Sequence, residues 1–252
     1  LSIIACNQAE KKEPLSMEGA YKMTSVNMKS EKTDSTISDP HQLKIFTEDF
    51  MIYANVNPPD SISGFGIGTY SINGDTVTEN VIYRAYDSTF NDTASSFNLV
   101  INKTDKGYTQ VINDIENNGE KFTLTETYES VGDSVTTPLD GAWKLVEHYY
   151  IQGNDTTKIQ TTQYKVYHAG NCIWGTSWKD SLNKTHTGIG YGTFVMTGNN
   201  KVKESMKSST FAAVRGHDFD IDIELMGNDG FRQIISTPEG GRNIEIYERL
   251  KK

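Results

Sequence analysis

The stretch SGFGIGTY, from Ser63 to Tyr70, returns as TGIGYGTF from Thr187 to Phe194, 124 positions later. Side chains of an extended strand alternate between its two faces, so the three glycines of each copy leave one face bare. Such a stripe is typical of a strand that bends, or that a backbone or bulky side chain approaches closely. A phosphate-binding loop would need a helix after the glycines, whereas a strand-like pattern follows them here. The stretch therefore predicts a bent strand of a small β-barrel.

Further landmarks recur in the same order along the chain. GAYK at 19–22 returns as GAWK at 141–144, and KGYTQVI from Lys106 returns as DGFRQII from Asp229. Offsets that stay close to 122 indicate an internal duplication, and a period this long corresponds to a domain rather than to a short solenoid repeat. We expect a signal remnant and tether at 1–14, one domain at 15–132 and a second at 138–252, each able to fold alone.

The hydrophobic pattern of both halves has the period of two that is typical of strands. Phe219, Ile221 and Ile223 alternate with acidic residues, and turn sequences such as NGD and TGNN separate the apolar runs. The pattern favours an all-β protein, either an up-and-down barrel or a sandwich in each half. The glycine stripes favour the barrel, so we expect two tandem antiparallel β-barrels.

Composition excludes several classes of partner. The chain has 252 residues, a formal net charge of −9 and no cluster of basic residues interleaved with aromatics. Attraction to nucleic acid or to anionic lipid surfaces is therefore disfavoured. No apolar run approaches the roughly 20 residues of a membrane helix. We expect a monomer.

The start and the end of the second half carry a family resemblance. Gly141, Trp143 and Lys144, followed by Tyr247 to Arg249 at the end, resemble the lipocalin-like (calycin) domains of secreted lipoproteins from Bacteroidota-type bacteria. The resemblance implies lipocalin-like barrels in which Trp143, Tyr21 of the first half and Arg249 pack at the closed end. In the first half, Tyr21 replaces the tryptophan and Ser130 replaces the arginine, which puts that closed end in question.

The first residues resemble the end of a bacterial lipoprotein signal peptide. Ile3, Ile4 and Ala5 precede Cys6 in the order of a lipobox, and the polar stretch NQAEKKEP follows. The resemblance implies that Cys6 is diacylated and anchors the protein to a membrane of the bacterial cell envelope. An outer-membrane location, on the periplasmic or the surface side, is the corresponding expectation.

Aromatic and apolar residues on the strands are candidates for a ligand site inside the barrels. With an offset of 122, Trp174 and Trp178 correspond to Ile52 and Val56, which share an apolar strand face with Phe50. We expect this face to point inward and to bind a small apolar or amphipathic molecule, unless side chains fill the lumen. The candidate lumen residues are Trp174, Trp178, Thr176, Tyr191, Phe194, Phe50, Ile52 and Tyr70.

Residues that could carry catalysis are few. The five histidines lie at no metal-ligand spacing, and Cys172 has no partner at such a spacing, so we expect no metal site and no cofactor. Glu126 and Glu248 correspond at the 122 offset and alternate with apolar neighbours, which is half of an acid–base pair at a barrel mouth. A non-catalytic binding protein is the first hypothesis. An enzyme that uses this acid, and an accessory protein for glycan or protein partners, remain alternatives.

The lipobox generates a prediction about membrane partitioning. With a complete signal peptide in a diderm bacterium, the protein should enter the detergent phase, because two acyl chains anchor firmly where one is marginal. Cys6→Ala should move the protein to the aqueous phase. Equal partitioning of the two forms would show that Cys6 carries no anchor.

Overall fold

The computed structural model describes residues 15–57, 63–86, 89–91, 95–117 and 119–252. Its regular structure in these residues consists of strands only. The first half contains β1 (Gly19–Lys29), β2 (Asp34–Ser38), β3 (Gln42–Phe46), β4 (Phe50–Asn55), β5 (Gly64–Asn73), β6 (Thr76–Tyr86), β7 (Thr89–Asn91), β8 (Ser95–Thr104), β9 (Gly107–Asn117) and β10 (Glu120–Ser130). Eight of them, in the order β1-β3-β4-β5-β6-β8-β9-β10, form an antiparallel barrel that closes where β10 pairs with β1.

The second half repeats this arrangement. Its strands are β11 (Gly141–Gln152), β12 (Asp155–Lys158), β13 (Thr162–His168), β14 (Asn171–Lys179), β15 (Thr185–Gly198), β16 (Lys201–Ser209), β17 (Asp218–Leu225), β18 (Gly230–Ser236) and β19 (Arg242–Arg249). Eight strands close a second barrel through the pairing of β11 with β19. In both halves the long first strand pairs along one edge with two successive strands, β2 and β3 or β12 and β13. The protein is thus two tandem lipocalin-like barrels related by duplication, as the sequence predicts.

The glycine stripes lie on the inner faces of β5 and β15, and a side chain would clash at the second and third glycine of each stripe. A Cβ at Gly66 would lie 2.5 Å from the ring of Tyr53, and one at Gly190 would lie 2.6 Å from the indole of Trp174. At Gly68 and Gly192 it would meet the backbone of the next strand at 2.0 and 2.2 Å, where a register shift interrupts the pairing. The prediction that a backbone or a bulky side chain approaches the bare face closely is confirmed.

The two barrels pack against each other through the outer faces of equivalent strands. One buried apolar cluster contains residues of both halves, including Ile52, Phe65 and Ile67 from the first barrel and Ile173 and Ile189 from the second. The Phe65 ring occupies the space where Gly175 lacks a side chain. The Tyr83 hydroxyl donates a hydrogen bond of 2.9 Å to Ser177 Oγ across the interface. The outward apolar side chains of these strands are covered by the other barrel rather than by water.

This interface corrects three of the predicted lumen residues. Phe50 and Ile52 belong to the cluster between the barrels, and the half-buried Tyr191 packs against it. An apolar strand face does not distinguish a lumen from an interface, and an offset error of one residue matched the face of Phe50 and Ile52 to Trp174 and Trp178. Phe46 pairs with Met51, and Tyr167 pairs with Cys172, so the offset at this strand is 121 rather than 122. A shift of one residue exchanges the two faces of a strand.

Two of the three predicted closed-end residues, Trp143 and Arg249, lie together in the second barrel, and Tyr21 is in the first. Trp143 is buried and donates a hydrogen bond of 2.7 Å from Nε1 to the Leu139 carbonyl. The guanidinium of Arg249 lies 4.0 Å from the Trp143 ring centroid, a cation–π contact. In the first barrel, Lys103 from β8 takes this position, with Nζ 5.5 Å from the Tyr21 ring centroid. Ser130 stands at the position of Arg249 and has no charge, so Lys103 of β8 supplies the cation over the Tyr21 ring instead.

Three features remain: the predicted anchor, any membrane-spanning helix and the junction between the barrels. Cys6 lies outside the described residues. Within the described part of the chain, no helix combines the length and apolar character needed to cross a bilayer. The segment between the barrels is hydrogen-bonded to both of them, from Val131 N to the Ala20 carbonyl and from Asp133 N to the Ala169 carbonyl.

The interface predicts how the separated halves behave. Fragments 15–133 and 137–252 should each give β-type circular dichroism, because each barrel closes its own hydrogen bonds. Mixed together, they should form a 1:1 complex, since each leaves its half of the apolar cluster exposed. Phe65→Asp in the first fragment should abolish the complex, while Ile37→Asp, at an exposed position, should not. Two folded fragments that elute separately in size-exclusion chromatography would contradict this interface.

Candidate functional site

A cavity of about 370 Å³ occupies the lumen of the second barrel. Its apolar lining consists of Trp174, Trp178, Met206, Phe211, Val214, Phe219, Ile221 and Ile235. Its polar lining consists of His148, Thr161, Gln163, Lys165, Thr176, Glu204, Gln233, Asn243 and Glu245. The predicted residues Trp174, Thr176 and Trp178 therefore lie at the cavity, although the strand face used to place them was wrong. A lumen of this size and mixed lining is typical of small-ligand sites.

Aromatic rings form one wall of this cavity. The rings of Trp174 and Phe211 are stacked, with centroids 5.8 Å apart, and Trp178 lies 6.0 Å from the same phenyl ring. The phenyl ring fits because Gly188 has no side chain, since a Cβ there would lie 2.4 Å from it. Thr176 lines the same cavity, and its buried Oγ1 has no hydrogen-bond partner among the described residues. The wall thus combines a broad apolar surface with one unused hydroxyl.

The polar side of the cavity is organised around a buried ion pair. Lys165 Nζ lies 2.8 Å from Glu204 Oε1 and donates a second hydrogen bond of 3.2 Å to Gln233 Oε1. The Tyr167 hydroxyl also donates to Glu204. A buried lysine without such partners would be strongly destabilising. Burial alone would lower the pKa of Lys165, but the carboxylates of Glu204 and Glu245 outweigh it and the pKa is raised, so the ammonium stays charged.

A second carboxylate extends this network. Gln233 Nε2 donates a hydrogen bond of 2.7 Å to Glu245 Oε2, and the Tyr247 hydroxyl donates to the same oxygen. Gln163 Nε2 donates to Glu245 Oε2 at 3.2 Å and also to the Tyr247 oxygen. We refer to Gln163, Lys165, Glu204, Gln233, Glu245 and Tyr247 as the polar network of the second barrel.

The first barrel contains the same polar network, residue for residue. Its members, in the same order, are Gln42, Lys44, Glu79, Gln110, Glu126 and Tyr128. Lys44 Nζ lies 2.5 Å from Glu79 Oε1 and 3.3 Å from Gln110 Oε1. Gln110 and Tyr128 donate to Glu126 Oε2 at 2.5 and 2.8 Å, and Gln42 donates to the Tyr128 oxygen at 2.6 Å. The network lines a cavity of about 360 Å³ in this barrel.

The strand register corrects the predicted carboxylate pair. Glu126 lies opposite Gln110 in β9–β10, and Glu245 lies opposite Gln233 in β18–β19, so these two glutamates correspond. Glu248 is exposed and pairs with Lys144 on β11. The repeated element is therefore Glu-x-Tyr, at an offset of 119. The prediction was right that Glu126 has a counterpart and wrong about which residue it is.

The environment of Glu126 favours its protonated form. Burial raises the pKa of Glu126, and Lys44 and the hydrogen bonds from Tyr128 and Gln110 oppose this shift only in part. Burial also raises the pKa values of Tyr128 and Tyr247 well above the ordinary value, and the adjoining carboxylates add to the effect. Both hydroxyls therefore remain donors at neutral pH.

A second depression adjoins the lumen cavity of the second barrel. It has a volume of about 440 Å³ and shares His148, Thr161 and Trp178 with the lumen. The Trp178 ring stacks on His186, whose Nε2 lies 2.7 Å from Asp180 Oδ2. His148 Nε2 lies 3.3 Å from Asn243 Oδ1. Trp178 is thus held between the lumen and this outer depression.

The remaining candidates lie away from the cavities. Tyr70 and Phe194 are buried in the two barrel interiors at equivalent positions, but neither lines a lumen cavity. The Tyr70 hydroxyl donates a hydrogen bond of 2.7 Å to the Thr47 carbonyl. Cys172 is buried in the second barrel, and burial raises the pKa of its thiol well above the ordinary value. Among the described residues, no group of three His, Cys, Asp or Glu side chains is placed to hold a metal ion.

Most of the polar network was missed at the sequence level, although a signal for it exists. The stretch QLKIF at 42–46 returns as QYKVY at 163–167, and ETY at 126–128 returns as EIY at 245–247. Lysine, glutamine and glutamate are usually exposed, so an alternating Gln-x-Lys pattern suggests an outer face. Only the repetition of both motifs distinguishes an inward-facing set.

Comparison with known proteins adds no family. No protein-family model and no curated protein match the chain. Among solved structures, it is similar to a protein of unknown function from the DUF3598 family of Nostoc punctiforme, at 11% identity and a TM-score of 0.27, over 92% of this chain and 96% of that one. It is also similar to a tryptophan-to-alanine mutant of the vaccine antigen transferrin binding protein B from Haemophilus parasuis, at 7% identity and a TM-score of 0.24, over 95% and 78%. At these scores neither likeness assigns a function.

The raised pKa of Glu126 predicts a pH-dependent contribution to stability. The folded state holds the proton more tightly than the unfolded state, so this contribution is complete below the ordinary pKa of 4.5 and is lost as pH rises through the raised value. The free energy of unfolding of the wild type, relative to Glu126→Gln, should therefore fall as the pH rises from about 4 to about 8.

Urea unfolding across this pH range measures the difference. Glu129→Gln, at an exposed position of the same strand, is the matched control. Its free energy of unfolding should depend on pH in nearly the same way as that of the wild type. A relative stability that rises with pH would show that Glu126 is held ionised in the folded protein.

Proposed function

We propose that this protein binds a small amphipathic molecule in the lumen of its second barrel and does not act on it chemically. The observation that carries the proposal is the 370 Å³ cavity, in which an aromatic wall faces a buried polar network. A lumen plugged by side chains would leave no such volume, because cores pack closely. The apolar wall would contact the body of the ligand, and the polar side would receive its hydrogen-bonding end.

The unpaired hydroxyl of Thr176 supports this assignment. A buried hydroxyl without a partner costs about 1–3 kcal/mol, and a bound ligand that pairs with it recovers part of that cost. Thr176 lies between Trp174 and Trp178 in the sequence of β14, on the inner face that lines the cavity. A ligand within reach of Thr176 is therefore also within reach of the indole wall.

The setting we propose for this binding is the bacterial cell envelope. The lipobox that ends at Cys6 supports an acyl anchor, and the polar stretch after it would serve as a short tether. A tethered barrel that holds an amphipathic molecule suits the capture or storage of such molecules next to a membrane. The barrels would act as a monomeric unit, since their apolar faces cover each other.

Titration with a neutral fluorescent probe tests the binding proposal. N-phenyl-1-naphthylamine brightens in an apolar site, so its emission should rise and saturate with the protein. Trp174→Ala should weaken binding by about tenfold, about 1.4 kcal/mol, because it removes one side of the wall.

The equivalent residue of the first barrel provides the control. Tyr53 occupies the position of Trp174, so Tyr53→Ala should leave the response of the second barrel nearly unchanged. A response that Tyr53→Ala abolishes and Trp174→Ala leaves intact would move the site to the first barrel. The absence of any saturable response would refute a binding role for either lumen.

A further inference from the structure

The lumen of the second barrel carries an unbalanced negative charge, and we propose that it selects ligands whose polar end is a primary ammonium group. This inference rests on the proposed function and deepens it by naming the ligand class. It predicts that amines bind more tightly than neutral or anionic molecules with the same apolar body. Fatty acids, the obvious amphipathic ligands for a barrel, would be disfavoured.

The charge balance follows from the cavity lining. Lys165, Glu204 and Glu245 are its side chains with a full charge, and His148 is its histidine. Lys165 and Glu204 compensate each other at 2.8 Å. Glu245 is held by neutral donors from Gln163, Gln233 and Tyr247, shares the single charge of Lys165 with Glu204, and has His148 Nε2 at 3.9 Å. One buried carboxylate is therefore left without a full counter-charge.

The geometry of Glu245 leaves one oxygen for a ligand. All three neutral donors reach Oε2. Oε1 lies 3.9 Å from His148 Nε2, which is beyond hydrogen-bond distance. An ammonium group carries three donors and no acceptor. It could donate to Glu245 Oε1, and Thr176, whose Oγ1 is buried and has no partner among the described residues, lines the same cavity.

The aromatic wall also disfavours an anionic ligand. The face of an aromatic ring is negative, so it attracts cations and repels anions. Trp174, Trp178 and Phe211 supply three rings on one side of the cavity. A carboxylate head would instead meet Glu245 and the negative faces of these rings. Since like charges in a low-dielectric site repel strongly, an anionic ligand would be excluded.

The first barrel is an internal comparison with a different charge balance. Its cavity lining contains Lys44 and Arg84 together with Glu79 and Glu126, so its formal charge is zero. Burial raises the pKa of Glu126, which moves the balance toward positive. The strand register places Val26 where the second barrel has His148. The two copies share a polar network but differ in the charge around it.

Three ligands with one alkyl chain isolate the effect of the head group. Octylamine, 1-octanol and octanoate are titrated against the protein with N-phenyl-1-naphthylamine bound. We expect octylamine to displace the probe at about tenfold lower concentration than 1-octanol, and octanoate to be the weakest. Equal affinities, or octanoate as the tightest ligand, would overturn the proposal while leaving a binding function intact. A probe that does not bind at all would instead refute the proposed function.

Variants then locate the selecting charge. Glu245→Gln should reduce the preference for octylamine over 1-octanol to less than about threefold, whereas Glu248→Gln, an exposed change on the same strand, should preserve it. Retention of the full preference in Glu245→Gln would show that another group selects the amine. If thermal melting shows that Glu245→Gln is unfolded, Thr176→Val replaces it. That variant should weaken octylamine binding severalfold, and an unchanged affinity would contradict the site described here.

Discussion

A lysine sealed inside each β-barrel, with a glutamate as its partner, is the constraint on which the interior of this protein depends. Lys165 and Lys44 are both about 3% exposed, and neither could remain charged there without a carboxylate at hydrogen-bond distance. The requirement continues outward, because each lysine also needs a glutamine oxygen, and each glutamine then donates to a second glutamate. These linked hydrogen-bonding requirements explain why six polar residues recur together in both barrels. It also explains why neither lumen is filled by apolar side chains.

The glycine-alternating strands serve both faces of the molecule. Their bare inner face admits Tyr53 or Trp174 from the preceding strand, which places an aromatic ring beside the polar network. Their outer face carries Phe65, Ile67 and Ile189, which join the barrels in one apolar cluster. A single short pattern thus admits the inner aromatic ring and presents the outer face that joins the two halves. When a barrel with such an apolar outer face is duplicated, the face of one copy can bury that of the other.

The fold was readable from the sequence, and the site was readable only in part. Period-two alternation and repeated glycines are local signals, so they predict strands and duplicated barrels without knowledge of the interior. The face of a strand, however, depends on register. The apolar face of Ile52 predicted a lumen position, and one residue of offset matched Ile52, rather than Tyr53, to Trp174. Apolar residues also fail to distinguish a lumen from a barrel–barrel interface, because both exclude water. Lys165 and Glu245 resembled surface residues, since burial of a charge depends on partners from distant strands.

The central claim is that the second lumen holds an amphipathic ligand with its polar end at Glu245. A crystal structure of the protein with 8-bromooctylamine tests this claim most directly, because anomalous scattering locates the bromine and the density orients the chain. The account predicts the ammonium nitrogen within hydrogen-bond distance of Glu245 and the bromine inside the barrel against Trp174 and Phe211. Bromine found only on the outer surface, or an ammonium that points to solvent with the alkyl chain at the polar network, would contradict it.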